Sequence, residues 1–140
     1  MKEKLPYYLK SHFHIFLFLT FFSFTHYNAI AAENNCGEIE NIEFSNGNSS
    51  QAISDGGSYN IGDLPSDFYI NLSYSGNVKS VRYFVKNLDT NQEYSKLENF
   101  EPYTFPGGNS PWNLGEGTFS IKVKAYKFNY GLGWACDQKT

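Results

Sequence analysis

Apolar and polar residues alternate along three stretches of this chain. From Phe68 to Tyr74, residues Phe68, Ile70, Leu72 and Tyr74 fall on one face, and Tyr69, Asn71 and Ser73 on the other. Val81, Tyr83 and Val85 alternate with Arg82, Phe84 and Lys86. Phe119, Ile121, Val123 and Ala125 alternate with Ser120, Lys122, Lys124 and Tyr126. A period of two with one polar face predicts strands that cover a core on one side. Shorter apolar runs predict further strands at Ile39–Phe44, Ser58–Ile61, Glu93–Leu97 and Trp134–Cys136. Between them lie the turn clusters SNGNSS, SDGG, YSGN, LDTNQ and PGGNSPWNLGEG, rich in residues that tolerate tight turns. No stretch sustains an apolar repeat of 3.6 residues, so helix is expected to be nearly absent. About seven short strands at this spacing predict an all-β, two-sheet sandwich.

The first 31 residues read differently. Lys2, Lys4 and Lys10 precede an apolar run from Phe13 to Phe24, and Ala29-Ile30-Ala31 follows it. Charged, apolar and small-residue segments in that order predict a signal peptide over residues 1–31. The run is short for a membrane span, which needs about 20 apolar residues. Cleavage after Ala31 leaves one domain over residues 32–140, long enough for a real core. Cys36 does not directly follow the small-residue motif, so no lipid-modified N-terminal cysteine is expected. The expected location is secreted, periplasmic or cell-surface, with no membrane insertion after cleavage.

Removing the leader changes what chemistry is on offer. His12, His14, His26 and Met1, all the histidines and the one methionine, lie within it. The remainder keeps 8 Lys+Arg against 13 Asp+Glu. An acidic domain of this kind argues against nucleic acid, where phosphate neutralisation dominates affinity. Without histidine no Ser-His or Cys-His pair exists to activate a nucleophile, and no imidazole exists for zinc. The expectation is a non-enzyme without cofactor or metal. Cys36 and Cys136 flank the domain, and export favours their oxidation to a structural disulfide. They do not form a C-x-x-C redox pair.

The segments DGGSYNIGDLP, GNVKSVRYF, ENFEPYTF and GTFSIKVKAY, in that order and with a tryptophan between the last two, resemble a bacterial extracellular immunoglobulin-like module. The resemblance spans Ile39 to Trp134. It implies an immunoglobulin-like two-sheet sandwich used as a spacer, adhesion or binding module, and it carries over no catalytic residues. The chain departs from the pattern in its terminal cysteine pair and in the short segment after Trp134. These departures leave the final edge strand open, with the disulfide expected to compensate by pinning it.

Four constellations carry candidate chemistry. Asn87, Asp89, Asn91 and Glu93 place oxygens at alternate positions, as a calcium loop does, but lack the EF-hand glycine and closing glutamate. A hairpin loop joining the Val81 and Glu93 strands is the expected reading instead. Glu98 and Glu101 are a candidate carboxylate pair, with a solvated loop face as the plain alternative. Asn48-Ser49-Ser50 and Asn71-Leu72-Ser73 match glycosylation sequons. The fourth constellation is aromatic, because the domain after the leader carries 17 Phe, Tyr and Trp residues. Trp112 is expected to plug the sandwich. Tyr126, Phe128 and Tyr130, with Trp134 beside them, are the candidate binding surface, for an unknown protein or a cell-surface glycan. The alternative function is a small secreted carbohydrate-binding protein using these loop aromatics. The competing account buries the same rings as a second small core.

Overall fold

Alternation produces strands wherever it is longest. The computed structural model describes residues 36–140, so the expected signal peptide and its cleavage point lie outside the described residues. Seven strands form: β1 (Glu38–Ser45), β2 (Ser50–Ala52), β3 (Tyr69–Ser75), β4 (Ser80–Asn87), β5 (Glu93–Glu98), β6 (Phe119–Tyr126) and β7 (Ala135–Lys139). They make two antiparallel sheets, ordered β2-β1-β3 and β5-β4-β6-β7. Helix is confined to two short 3-10 turns, Ile61–Asp63 and Asn129–Gly131. No helix among the described residues is long and apolar enough to cross a membrane.

The core lies between the sheets. Ile39, Ile42, Ile70 and Leu72 come from the three-stranded sheet, and Val81, Tyr83, Val85, Val123 and Ala125 from the other. Those of β3, β4 and β6 are the inward positions that the alternation assigns; Ile39 and Ile42 share the inner face across the register shift in β1. Burying each such aliphatic or aromatic side chain contributes roughly 1.5–3 kcal/mol relative to leaving it in water.

Between β5 and β6 the chain makes a long excursion, residues 99–118, and this segment belongs to the core as well. Tyr103, Thr104 and Phe105 are all buried. Phe105 exchanges both backbone hydrogen bonds with Ile70, at 2.9 and 3.0 Å, and so adds a single bridge to the free side of β3. Further along, the Trp112 N–H donates to the Phe68 carbonyl at 2.6 Å. The turn-rich loop therefore stands where a further strand of the first sheet would run. It is fixed from within by Tyr83, whose hydroxyl is fully buried and donates to the Tyr103 carbonyl at 2.7 Å. The Tyr103 hydroxyl in turn donates to the Val78 carbonyl at 3.2 Å.

Three local expectations need correction. Ser58–Ile61 is not a strand: the Tyr59 ring packs edge-on against Phe44 at 5.0 Å, and its hydroxyl accepts from the Ser54 N–H. A strand forms instead at Ser50–Ala52, because Asn46 Oδ1 accepts from the Asn48 and Ser49 N–H groups and turns the chain back along β1. Tyr69 is buried although alternation points it outward. The β1–β2 turn covers it, and a side chain at Gly47 would meet its hydroxyl.

The short last strand forms, and it ties the two sheets together. Cys36 and Cys136 are joined, with Cα atoms 5.4 Å apart. Ala125 pairs with Asp137 and Tyr126 with Ala135, so Cys136 is the extra residue of a bulge on β7. A bulge re-aims side chains, here at the residue that bonds to the other sheet's leading segment. Asp137 Oδ2 accepts from the Ile39 N–H at 2.8 Å, and the Lys139 ammonium donates to the Glu40 carbonyl. These two groups of β1 flank its own register shift between Ile39 and Asn41, so β7 side chains satisfy backbone that the bulge in β1 leaves irregular.

Two predictions follow from this packing. The disulfide closes a separation of 100 residues. Cys136→Ser should therefore lower stability by about 4 kcal/mol in the chain-entropy model, read as the urea midpoint, while the β-sheet circular dichroism persists. Burial, reinforced by Glu98, pushes the Tyr83 hydroxyl above its ordinary value of 10.0, and burial followed by Glu101 does the same for Tyr103. A group whose folded pKa is raised keeps its stabilisation below the unfolded value and loses it as pH rises. Stability should thus hold to about pH 10 and fall above it. In Tyr83→Phe, which loses about 1–3 kcal/mol at neutral pH by stranding the Tyr103 carbonyl, the alkaline fall should be shallower.

Candidate functional site

The two ends of the sandwich are built differently. At one end Trp112 stacks on Phe68, meets Phe119 edge-on at 4.9 Å and lies against Phe105, while its indole N–H donates to the Gly115 carbonyl. This tryptophan closes that end. Beside it is a shallow groove of about 380 Å³ along Pro65, Asp67, Pro111 and Glu116.

At the other end the β3–β4 turn, the end of β5 and the β6–β7 loop come together. The β6–β7 loop is held down on β4 and β5. Ser80 Oγ donates to the Phe128 carbonyl at 2.6 Å and accepts from the Gly131 N–H at 3.0 Å. Asn99 Oδ1 accepts from the Tyr130 N–H. Gly131 then packs over Arg82 and Leu97. With its backbone fastened, the loop turns its large side chains outward. Phe128 is 57%, Tyr130 65% and Trp134 95% exposed.

The candidate surface therefore divides. Phe128, Tyr130 and Trp134 sit on one short loop in solvent, and Trp134 plugs nothing. Tyr126 differs from its expected outward placement, being only 8% exposed. Alternation fails at this last residue of β6 because the β6–β7 register shifts there and the chain folds back across the strand ends. Tyr126 is part of the platform beneath the loop.

Two exposed residues escape the sequence reading: Phe100, next to Asn99, and Leu132, inside the glycine turn. The signal for Phe100 was its place in ENFEP just past a predicted strand, where alternation has ended and a ring has no assigned inward side. Five of the eight large apolar side chains exposed among the described residues, Phe100, Phe128, Tyr130, Leu132 and Trp134, thus belong to this one end. Scattered exposed apolar residues are ordinary, whereas these five gather at one end of the sandwich.

The other constellations have structural employment. Asn87 Oδ1 accepts from the Asp89 and Thr90 N–H groups, both at 2.9 Å, Asp89 Oδ2 accepts from the Thr118 N–H, and Glu93 pairs with Lys86 at 3.0 Å. These oxygens build a hairpin and anchor the start of β6. Glu98 pairs with Lys96 at 3.4 Å, whereas Glu101 accepts from the Tyr74 hydroxyl. The two carboxylates are engaged by different strands. No protein-family model, curated protein or solved structure matches this chain.

The division between platform and surface is testable. Tyr126→Ser should cost about 3 kcal/mol or more by urea denaturation, as expected for a buried ring. Trp134→Ser should stay within about 0.5 kcal/mol of the parent. A Trp134→Ser loss as large as that of Tyr126→Ser would make the exposed rings part of the core.

Proposed function

We propose that this chain is an exported, non-catalytic immunoglobulin-like domain that binds a protein or a cell-surface glycan through its aromatic end. The concentration of Phe100, Phe128, Tyr130, Leu132 and Trp134 at one end carries this reading. Rings held on a fastened loop offer large contact area with little side-chain entropy to lose, which suits a binding surface.

Strand order supports the immunoglobulin-like assignment. The order β5-β4-β6-β7 has the pattern of a four-stranded sheet in such a domain, and β1-β3 with the Phe105 bridge has the pattern of its opposite sheet. In that correspondence the β3–β4 turn and the β6–β7 loop lie at the end where immunoglobulin variable domains carry their binding loops. The resemblance to bacterial extracellular modules and the N-terminal leader pattern support a location outside the cytoplasm, and the Cys36–Cys136 disulfide is compatible with one.

The test screens the purified protein on a glycan array and on fixed cells, beside the Tyr130→Ser/Trp134→Ser double variant. Binding by the parent and its loss of at least about tenfold in a variant of normal melting temperature is the expected result. Undiminished binding by the double variant would move the site elsewhere. The non-catalytic part fails if the protein reproducibly turns over glycosides, peptides or esters and Glu98→Gln or Glu101→Gln abolishes that turnover.

A further inference from the structure

The chain is acidic overall, with a formal charge of −3, yet the outer face of its four-stranded sheet is cationic. Register places Arg82 directly opposite Lys124 and Phe84 opposite Lys122 across β4 and β6. The flanking strands set Leu97 beside Arg82, Ser95 beside Phe84 and Gln138 beside Lys124, none of them negative. Two side-chain ion pairs occur among the described residues, Lys86–Glu93 and Lys96–Glu98. Arg82, Lys122 and Lys124 therefore have no carboxylate partner there. Like charges directly opposite on neighbouring strands destabilise a sheet, and no carboxylate on these strands offsets the Arg82–Lys124 opposition. At its centre the Phe84 ring is partly exposed, with the Lys124 ammonium 5.8 Å from its centroid.

We propose that this face binds an anionic polysaccharide, with carboxylates or sulfates meeting Arg82, Lys122 and Lys124 and a sugar ring lying on Phe84. Opposed residues stand about 5 Å apart, and alternate residues along a strand roughly 7 Å apart. The three cations thus form a ladder of fixed spacing on a rigid, shallow surface. That geometry fits a polymer with repeating charge better than a single small anion, which would need an enclosing pocket. A sugar presents a flat C–H face to an aromatic ring, whereas an aspartate or glutamate chain has no such body. Both β4 and β6 are inner strands, so no free strand edge lies here to pair with a peptide backbone. The face adjoins the aromatic end at Arg82, over which Gly131 packs, while Phe84 and Lys122 lie further along β4 and β6. The inference rests on the binding-domain reading only in placing the domain where such polymers occur.

The experiment measures retardation of the purified protein by polygalacturonate and by chondroitin sulfate at low ionic strength. Neutral dextran, poly-L-glutamate and single-stranded DNA serve as comparison probes. The expected result is retardation by at least one acidic polysaccharide, weakening as salt is raised, and little by dextran. Arg82→Ser/Lys124→Ser and, independently, Lys122→Glu should each weaken it by about tenfold or more. Phe84→Ser should weaken it without changing the salt dependence. Lys79→Ser, which removes an exposed cation from the β3–β4 turn, should keep the parent affinity within about twofold, separating local contact from net charge. No retardation by either acidic polysaccharide would overturn the proposal. So would equal binding of poly-L-glutamate or DNA, or an equal loss in Lys79→Ser. Loss of cell or glycan-array binding in the aromatic-loop double variant alone leaves this face intact, so the two readings fail separately.

Discussion

One buried hydroxyl organises the sandwich. Tyr83 lies in an inner strand with no exposure, and a phenol in that position cannot go without a partner. Its acceptor is not a strand but the Tyr103 carbonyl, on a segment that composition marks as a loop. Leaving either group unpaired costs about 1–3 kcal/mol, so the bond favours the excursion over a loop left in solvent. Once Tyr103 is drawn in, its own hydroxyl reaches the Val78 carbonyl and fixes the β3–β4 turn. Phe105 then meets Ile70 and fills the open side of the first sheet. The same excursion leaves β5 at Asn99 and Phe100, and Asn99 with Ser80 holds the β6–β7 loop. A hydrogen bond in the core thus sets where the exposed end receives one of its supports.

The two sheets are joined at their edges by different means. On the side of residues 99–118 a loop carries the backbone pairing, and on the other side covalent and polar links take over. β7 is short and pairs only with β6, an arrangement with little to hold it. The Cys36–Cys136 bond and the Asp137 and Lys139 contacts to β1 compensate. The backbone groups they occupy, the Ile39 N–H and the Glu40 carbonyl, lie on the part of β1 that β2 does not pair.

The long strands were legible because one physical signal, period-two alternation, was strong over seven or eight residues in β3, β4 and β6. β2 was not, since Ser50, Gln51 and Ala52 have no apolar face and form a strand only because the Asn46 turn delivers them to β1. Tyr69 and Tyr126 were misassigned where alternation meets a turn or a bulge, and a neighbouring segment then covers the outward side. The buried core of 99–118 was hidden by its own turn residues. Its burial depends on a partner in β4 that no local pattern reveals. The exposed loop was readable as a set of rings, but its division into platform and surface required knowing where β6 ends.

The β6–β7 loop also carries a backbone that an ordinary sequence avoids. Tyr130 has φ 65° and ψ 18°, a left-handed conformation that costs a bulky side chain about 1 kcal/mol or more. The following Gly131 shares that region at no steric cost. Asn99, Ser80 and the Phe128 carbonyl supply hydrogen bonds that offset the strain, and together they leave the loop few alternatives. A glycine at 130 would adopt the same turn more easily, so the ring is kept against the backbone's preference. It is kept in water, where its burial contributes nothing to this chain's own stability. Under the binding role proposed above, that strain has a use as pre-organisation. A loop that already holds its rings in one geometry loses less ordering entropy when it binds.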